Sequence, residues 1–165
     1  GLGNLKQAGF NFFKHIEMPS EIALPELLKK GEQYDLAFID GWHTFDHTLI
    51  DFFYLNRMLK VNGMIIIDDV GMLSIRKLIR YLLNYPAYQI YGGIKLPNSP
   101  KRDLINKLII KPWSSIVKLF PTRLYNEIFS TDFLYLDKSL SIDVSMIALK
   151  KIDEDKRAWN WFEKF

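Results

Sequence analysis

Two apolar runs, "DLAFID" at 35–40 and "MIIID" at 64–68, each stop on an aspartate. Short runs without polar alternation are the pattern of strands buried on both faces, as in a parallel sheet. Between them Thr44 is placed to cap a helix reaching to about Leu59. Phe45, Leu49, Phe52, Phe53 and Leu55 give that helix a broad apolar face, and Asn62-Gly63 breaks it. Upstream, "FFKHIEM" at 12–18 reads as a strand by its aromatic content and rough alternation. Ser20 is placed to cap a helix "EIALPELLKK" that Gly31 ends, with Pro25 near enough to the first turn to be tolerated. Downstream, "LSIRKLIRYLLNY" is an amphipathic helix stopped before Pro86, "YQIYGG" a short strand, and "SIDVSMIALKKI" a later one. The opening "LGNLKQAGF" reads as the end of a helix.

Strands alternating with helices at this spacing predict an α/β fold with a parallel sheet and helices on its faces. Right-handed crossovers bring the carboxyl ends of both buried strands to one edge. That is the edge at which open α/β sheets bind ligands. Asp40, Asp68 and Asp69 are therefore expected to converge there. Three carboxylates repel one another unless a cation or a shared proton offsets their charge. Hard oxygen donors suit Mg²⁺, Ca²⁺ or Mn²⁺, which would hold a substrate hydroxyl as a Lewis acid. Taken singly, each aspartate also reads as a helix cap or a solvated strand end.

His43 follows Asp40 by three residues and is placed to take a proton from a bound hydroxyl near neutral pH. A helix-start histidine bonded to the backbone is the other reading. His43 and His47 have the spacing of zinc ligands on a helix but lack the matching glutamate. His15 reads as structural. Trp42, between Gly41 and His43, either walls a pocket or covers the end of the sheet.

The remaining features set bounds. The 165 residues fit one domain, and 48% hydrophobic with 25% charged is ordinary for a globular chain. The lack of cysteine excludes disulfides and thiolate metal sites. With no leader pattern and no apolar run near the roughly 20 residues that span a bilayer, a cytoplasmic location is expected. A net charge of +3 and no nucleic-acid motif give no clear nucleic-acid partner. The charge is uneven, however, with eight Lys/Arg against four Asp/Glu between 94 and 141. That segment also carries four prolines and many aromatics, and reads as an insertion or lid.

The stretch "YDLAFIDGWHTFDHTLIDFFYLNRMLKVNGMIIIDDV" resembles the second half of a class I S-adenosylmethionine-dependent methyltransferase. It is similar to that family's strand four with its Asp-Gly-x-His turn, the long helix, Asn-Gly in place of the usual Pro-Gly-Gly, and strand five. The 28 residues from Asp40 to Asp68 match the spacing in catechol-type, metal-dependent O-methyltransferases. The resemblance implies that Asp40, Asp68 and Asp69 bind a divalent cation, Mg²⁺ above all, and that Trp42 lies beside the ligands. At the place of His43 that group has a lysine base, so histidine is a departure. "EMPSE" resembles the turn after strand three, which implies Met18, Ser20 and Glu21 beside the adenine, with Asp40 and Trp42 as further cofactor contacts. "VSMIALKKI" is similar to the family's antiparallel last strand. The likeness covers about residues 5 to 93 and 142 to 152.

What it implies is a Rossmann-like sheet with helices on both faces. The activity would be O-methyl transfer from S-adenosylmethionine to a small hydroxylated acceptor, with His43 as base. The positive insertion points to a sugar or phosphorylated acceptor. The family's glycine-rich turn after strand one and the ribose-holding acid after strand two have no counterpart here. "GLGN" offers only a lone Gly-x-Gly with no strand before it. Residues 1–165 therefore read as a single partial domain, truncated at its N-terminus, with activity in this form left open. A strand edge without its neighbour is expected to be covered by a homodimer. A second reading is a non-catalytic remnant that binds a partner protein or a membrane surface through "KRDLINKLIIKPWSSIVKLF". A receiver domain, suggested by "IIIDDV", would need its acidic pair before the "FID" strand rather than after it.

Overall fold

The computed structural model of the chain describes residues 2–10, 12–94 and 144–163. Beyond Ile94, the insertion expected at 94–141 lies outside them. In chain order the elements are α1 (Leu2–Gln7), α2 (Ser20–Lys29), β1 (Tyr34–Ile39), α3 (Phe45–Met58), β2 (Leu59–Ile67), α4 (Leu73–Leu83), β3 (Tyr88–Ile94) and β4 (Met146–Lys151).

The strands form one mixed sheet in the order β1-β2-β4-β3. β1 runs parallel to β2, and β4 is antiparallel to both β2 and β3. This is the Rossmann-like arrangement expected from the sequence, including the reversed late strand. Ala37, Ile65 and Leu149 align across the sheet, as do Ile39, Ile67 and Ile147. All six are buried in one core with Phe52 of α3 and Ile75, Leu78, Ile79 and Leu82 of α4. On the other face of β1, Leu36 and Phe38 are about half exposed, at 54% and 51%. The helices that build the core among the described residues thus lie on one side of the sheet.

Local chemistry sets the boundaries. Gly31 at φ +74° closes α2, with the N–H of Gly31 on the Leu28 carbonyl and that of Glu32 on the Leu27 carbonyl. These paired bonds, with a glycine in the left-handed region, are a Schellman ending. Asn62-Gly63 does separate α3 from the "MIIID" segment, but from inside β2, which already begins at Leu59. There the register between β1 and β2 slips, and a Cβ on Gly63 would come 2.9 Å from the backbone oxygens of Asp35 and Lys60. Only glycine fits that close approach.

Other expectations need correction. Residues 12–18 form no strand, and Phe12 is 85% exposed. A strand exists only through ladder partners, and β1, the nearest edge, pairs only with β2. Ser20 is the first residue of α2 rather than its cap, because Pro19 takes that position. Pro25 falls well inside the helix. Thr44 does occupy the cap position of α3, yet its hydroxyl lies 2.8 Å from His47 Nδ1 and caps no backbone group. Among the described residues no helix is long and apolar enough to cross a membrane.

Candidate functional site

Asp40 is the first residue past β1, and Asp68-Asp69 follow β2 directly. The Asp68 N–H donates to the Ile39 carbonyl at 3.1 Å, which carries the pairing of β1 and β2 one step beyond the last strand residue. The predicted convergence is therefore real, but its members differ from expectation. Asp69 has φ +53°, a left-handed conformation uncommon outside glycine but tolerated best by asparagine and aspartate. This turn makes the Asp69 N–H donate to the Asp68 carboxylate at 2.7 Å. It also sets Asp69 Oδ2 2.9 Å from His43 Nε2. Asp40 Oδ1 lies 3.6 Å from the same nitrogen. One donor atom from each of Asp40, His43 and Asp69 fits within 4.8 Å of the others. Asp68 stands outside that group.

The close approach of Asp69 to His43 is not aligned as a hydrogen bond. Nε2 is consequently buried without a hydrogen-bond partner, facing two carboxylates. Two carboxylate oxygens thus lie against one imidazole nitrogen.

Several groups that sequence reasoning did not single out hold the Asp40–Thr44 loop in place. The Ser74 hydroxyl, in the first turn of α4, donates to the His43 carbonyl at 2.6 Å. The Thr48 hydroxyl lies 3.0 Å from the Trp42 carbonyl and 2.9 Å from that of Thr44. Gly41 passes over Asp51, whose Oδ2 would sit 3.5 Å from a Cβ there. Asp51 is only 9% exposed and its Oδ1 is buried without a partner. Burial holds its carboxyl above the ordinary range, against a bond from the Ser20 side chain that pulls it down. The only sequence trace of this arrangement is Thr48, one helical turn after Thr44.

The remaining expected residues sit around this cluster. Trp42 is 72% exposed, with its ring 4.9 Å from that of His47. His47 bonds Thr44 and lies 3.5 Å from Asp46, so the His43/His47 zinc pair is not assembled. Ser20 reaches the rear of the loop through Asp51, while Met18 and Glu21 are exposed near the start of α2. His15 lies exposed in irregular chain.

Two carboxylate oxygens and an imidazole nitrogen, brought from three segments, are a donor set that fits a divalent ion. Three protein ligands leave coordination positions for water or substrate. The mutual approach of the three donor atoms within 4.8 Å is the structural observation on which this fit rests.

Residues 4–70 match a family model described as a methyltransferase domain. The match spans β1, α3, β2 and all three residues of the cluster. No curated protein matches the chain.

Proposed function

We propose that this chain, whose residues 4–70 match a methyltransferase domain, serves O-methyl transfer. S-adenosylmethionine would give its methyl group to a small hydroxylated acceptor held over the carboxyl ends of β1 and β2. The observation that carries the reading is the cluster of Asp40, His43 and Asp69 at that edge. In the reaction a C–O bond forms as the C–S bond breaks, the sulfonium becomes a neutral sulfide, and the hydroxyl proton must leave. His43 Nε2, 2.9 Å from Asp69 and 3.6 Å from Asp40, would take it. Where a divalent cation sits among these groups, it supplies Lewis acidity that lowers the pKa of the hydroxyl.

Trp42 and the start of α2, with Met18, Ser20 and Glu21, are proposed to flank the adenosyl group. The excess positive charge of 94–141 favours an acceptor with acidic or phosphorylated groups, a sugar derivative among them. Isothermal titration of the chain with S-adenosylhomocysteine tests the reading directly. Micromolar binding supports it, and Asp69→Asn should then lower turnover of labelled S-adenosylmethionine by about 100-fold. A stably folded chain that ignores the cofactor product would leave a remnant without this activity.

A further inference from the structure

We propose that Asp51 is a positioning residue of the strand-end site. From α3 its carboxylate ties the start of α2 to the Asp40–Thr44 loop, so that one buried side chain sets both the wall assigned to the adenosyl group and the loop bearing Asp40 and His43. The inference deepens the methyl-transfer reading and rests on it for the ligand used in its test.

Thr48 and Asp51 stand three residues apart on α3 and therefore share one helix face. Both are buried, at 2% and 9% exposure. Their chemistry is complementary. The Thr48 hydroxyl lies 3.0 Å from the Trp42 carbonyl and 2.9 Å from that of Thr44, so it serves acceptors of the loop. An ionised carboxylate only accepts, so it serves donors. Ser20, the first residue of α2, bonds Asp51 through its side chain. Gly41 passes over the same carboxylate, with Oδ2 3.5 Å from where a Cβ would stand. Among the described residues no backbone hydrogen bond joins the start of α2 to this loop. Asp51 is the polar group that meets both.

Packing alone does not account for a carboxylate at this place. Its Oδ1 is buried without a hydrogen bond. The charges that act on it are those of Glu21, which opposes its ionisation, and His47, which favours it. An apolar side chain of similar size would fill the space between α2 and α3 without stranding an oxygen. What such a side chain would lose is the link between two segments that are far apart in the sequence. A site is held to the tolerance that binding needs only when the groups behind it are themselves fixed.

Calorimetry with S-adenosylhomocysteine should show affinity about fivefold lower in Asp51→Asn and in Ser20→Ala. The double variant should bind no more weakly than either single one, because both changes break the same link. Asp51→Asn keeps the shape of the side chain and should be the more stable protein at pH 7. A purely structural role therefore predicts affinity equal to that of the unsubstituted chain or better. Amide hydrogen exchange gives a second readout that needs no ligand. In Asp51→Asn the amides at 21–24 and at 41–44 should exchange faster together, by about tenfold, while those of α4 keep their protection. Undiminished affinity in Asp51→Asn, additive losses in the double variant, or faster exchange in one segment or in neither would each overturn the inference. If the unsubstituted chain binds no S-adenosylhomocysteine, the methyl-transfer reading fails, and hydrogen exchange alone decides the link.

Discussion

Lys151 and His43 lie toward opposite ends of the sheet, and their polar atoms are treated in opposite ways. Lys151, where β4 ends, is 2% exposed, yet its ammonium donates to the carbonyls of Asn56 and Leu59 and to Glu154. All three of its donors are used. Around it Tyr88 donates to Asn56, Asn56 donates to Asp155, and Asp155 holds Arg157 through two bonds of 2.6 and 2.7 Å. The Arg157 guanidinium in turn lies 3.4 Å over the ring of Tyr85. At the other end His43 Nε2 and Asp51 Oδ1 make no hydrogen bond, and the carboxylates of Asp40 and Asp69 beside His43 are partly open to solvent. Where polar groups serve the fold they are fully paired. At the strand-end cluster that pairing is incomplete.

Three substitutions probe this contrast. The largest effect belongs to the paired end. Lys151→Ala removes three hydrogen bonds and strands two buried carbonyls, and urea unfolding should show a loss of about 3 kcal/mol. A loss well below that would mean the paired end is no tighter than the open one. Asp51→Asn should act in the opposite direction. Burial raises the pKa of Asp51, so the unfolded chain ionises this group first as pH rises, and the folded state loses stability above about pH 4. The amide escapes that loss. Melting should therefore reveal a gain at pH 7 that disappears near pH 3. A gain of equal size at both values would place the cause outside the carboxyl charge. Ser74→Ala should be the mildest in stability, under about 1 kcal/mol in urea unfolding, through the released His43 carbonyl. No measurable loss would mean that the loop is held by Thr48 and α3 alone.

The two buried strands were legible because unbroken apolar runs need no partner information, and the convergence of their aspartates followed from topology. The strand expected at 12–18 was not, since its aromatics promise burial that only a neighbouring strand supplies. Most of the expected helical face holds, with Phe52 buried and Phe45, Leu49 and Leu55 packed against the core. Phe53 is 46% exposed with Arg57 3.5 Å over its ring, whereas Thr48, Asp51 and Asn56 are buried. Hydrophobicity marks the side toward the sheet but not the side that α2 and the strand-end loop cover with polar contacts. The approach of Asp69 rather than Asp68 to His43 was likewise out of reach. It turns on one backbone dihedral at Asp69, which no spacing encodes.

The placement of β4 has a consequence for how the sheet comes into being. β4 lies between β2 and β3, and it pairs Met64 with Lys150 and Tyr88 with Lys151. The middle of the sheet is therefore made from residues that leave the ribosome after both of their neighbours. Until then β2 and β3 have no strand joining them, and only β1 and β2 can zip by a local crossover. Distant pairing of this kind slows folding, because the loop must close before any contact rewards it. The nascent β1–α3–β2 unit, complete by Ile67, already carries Asp40 and His43 and awaits only Asp69. The cluster's residues are thus gathered early, on a framework whose central strand arrives last.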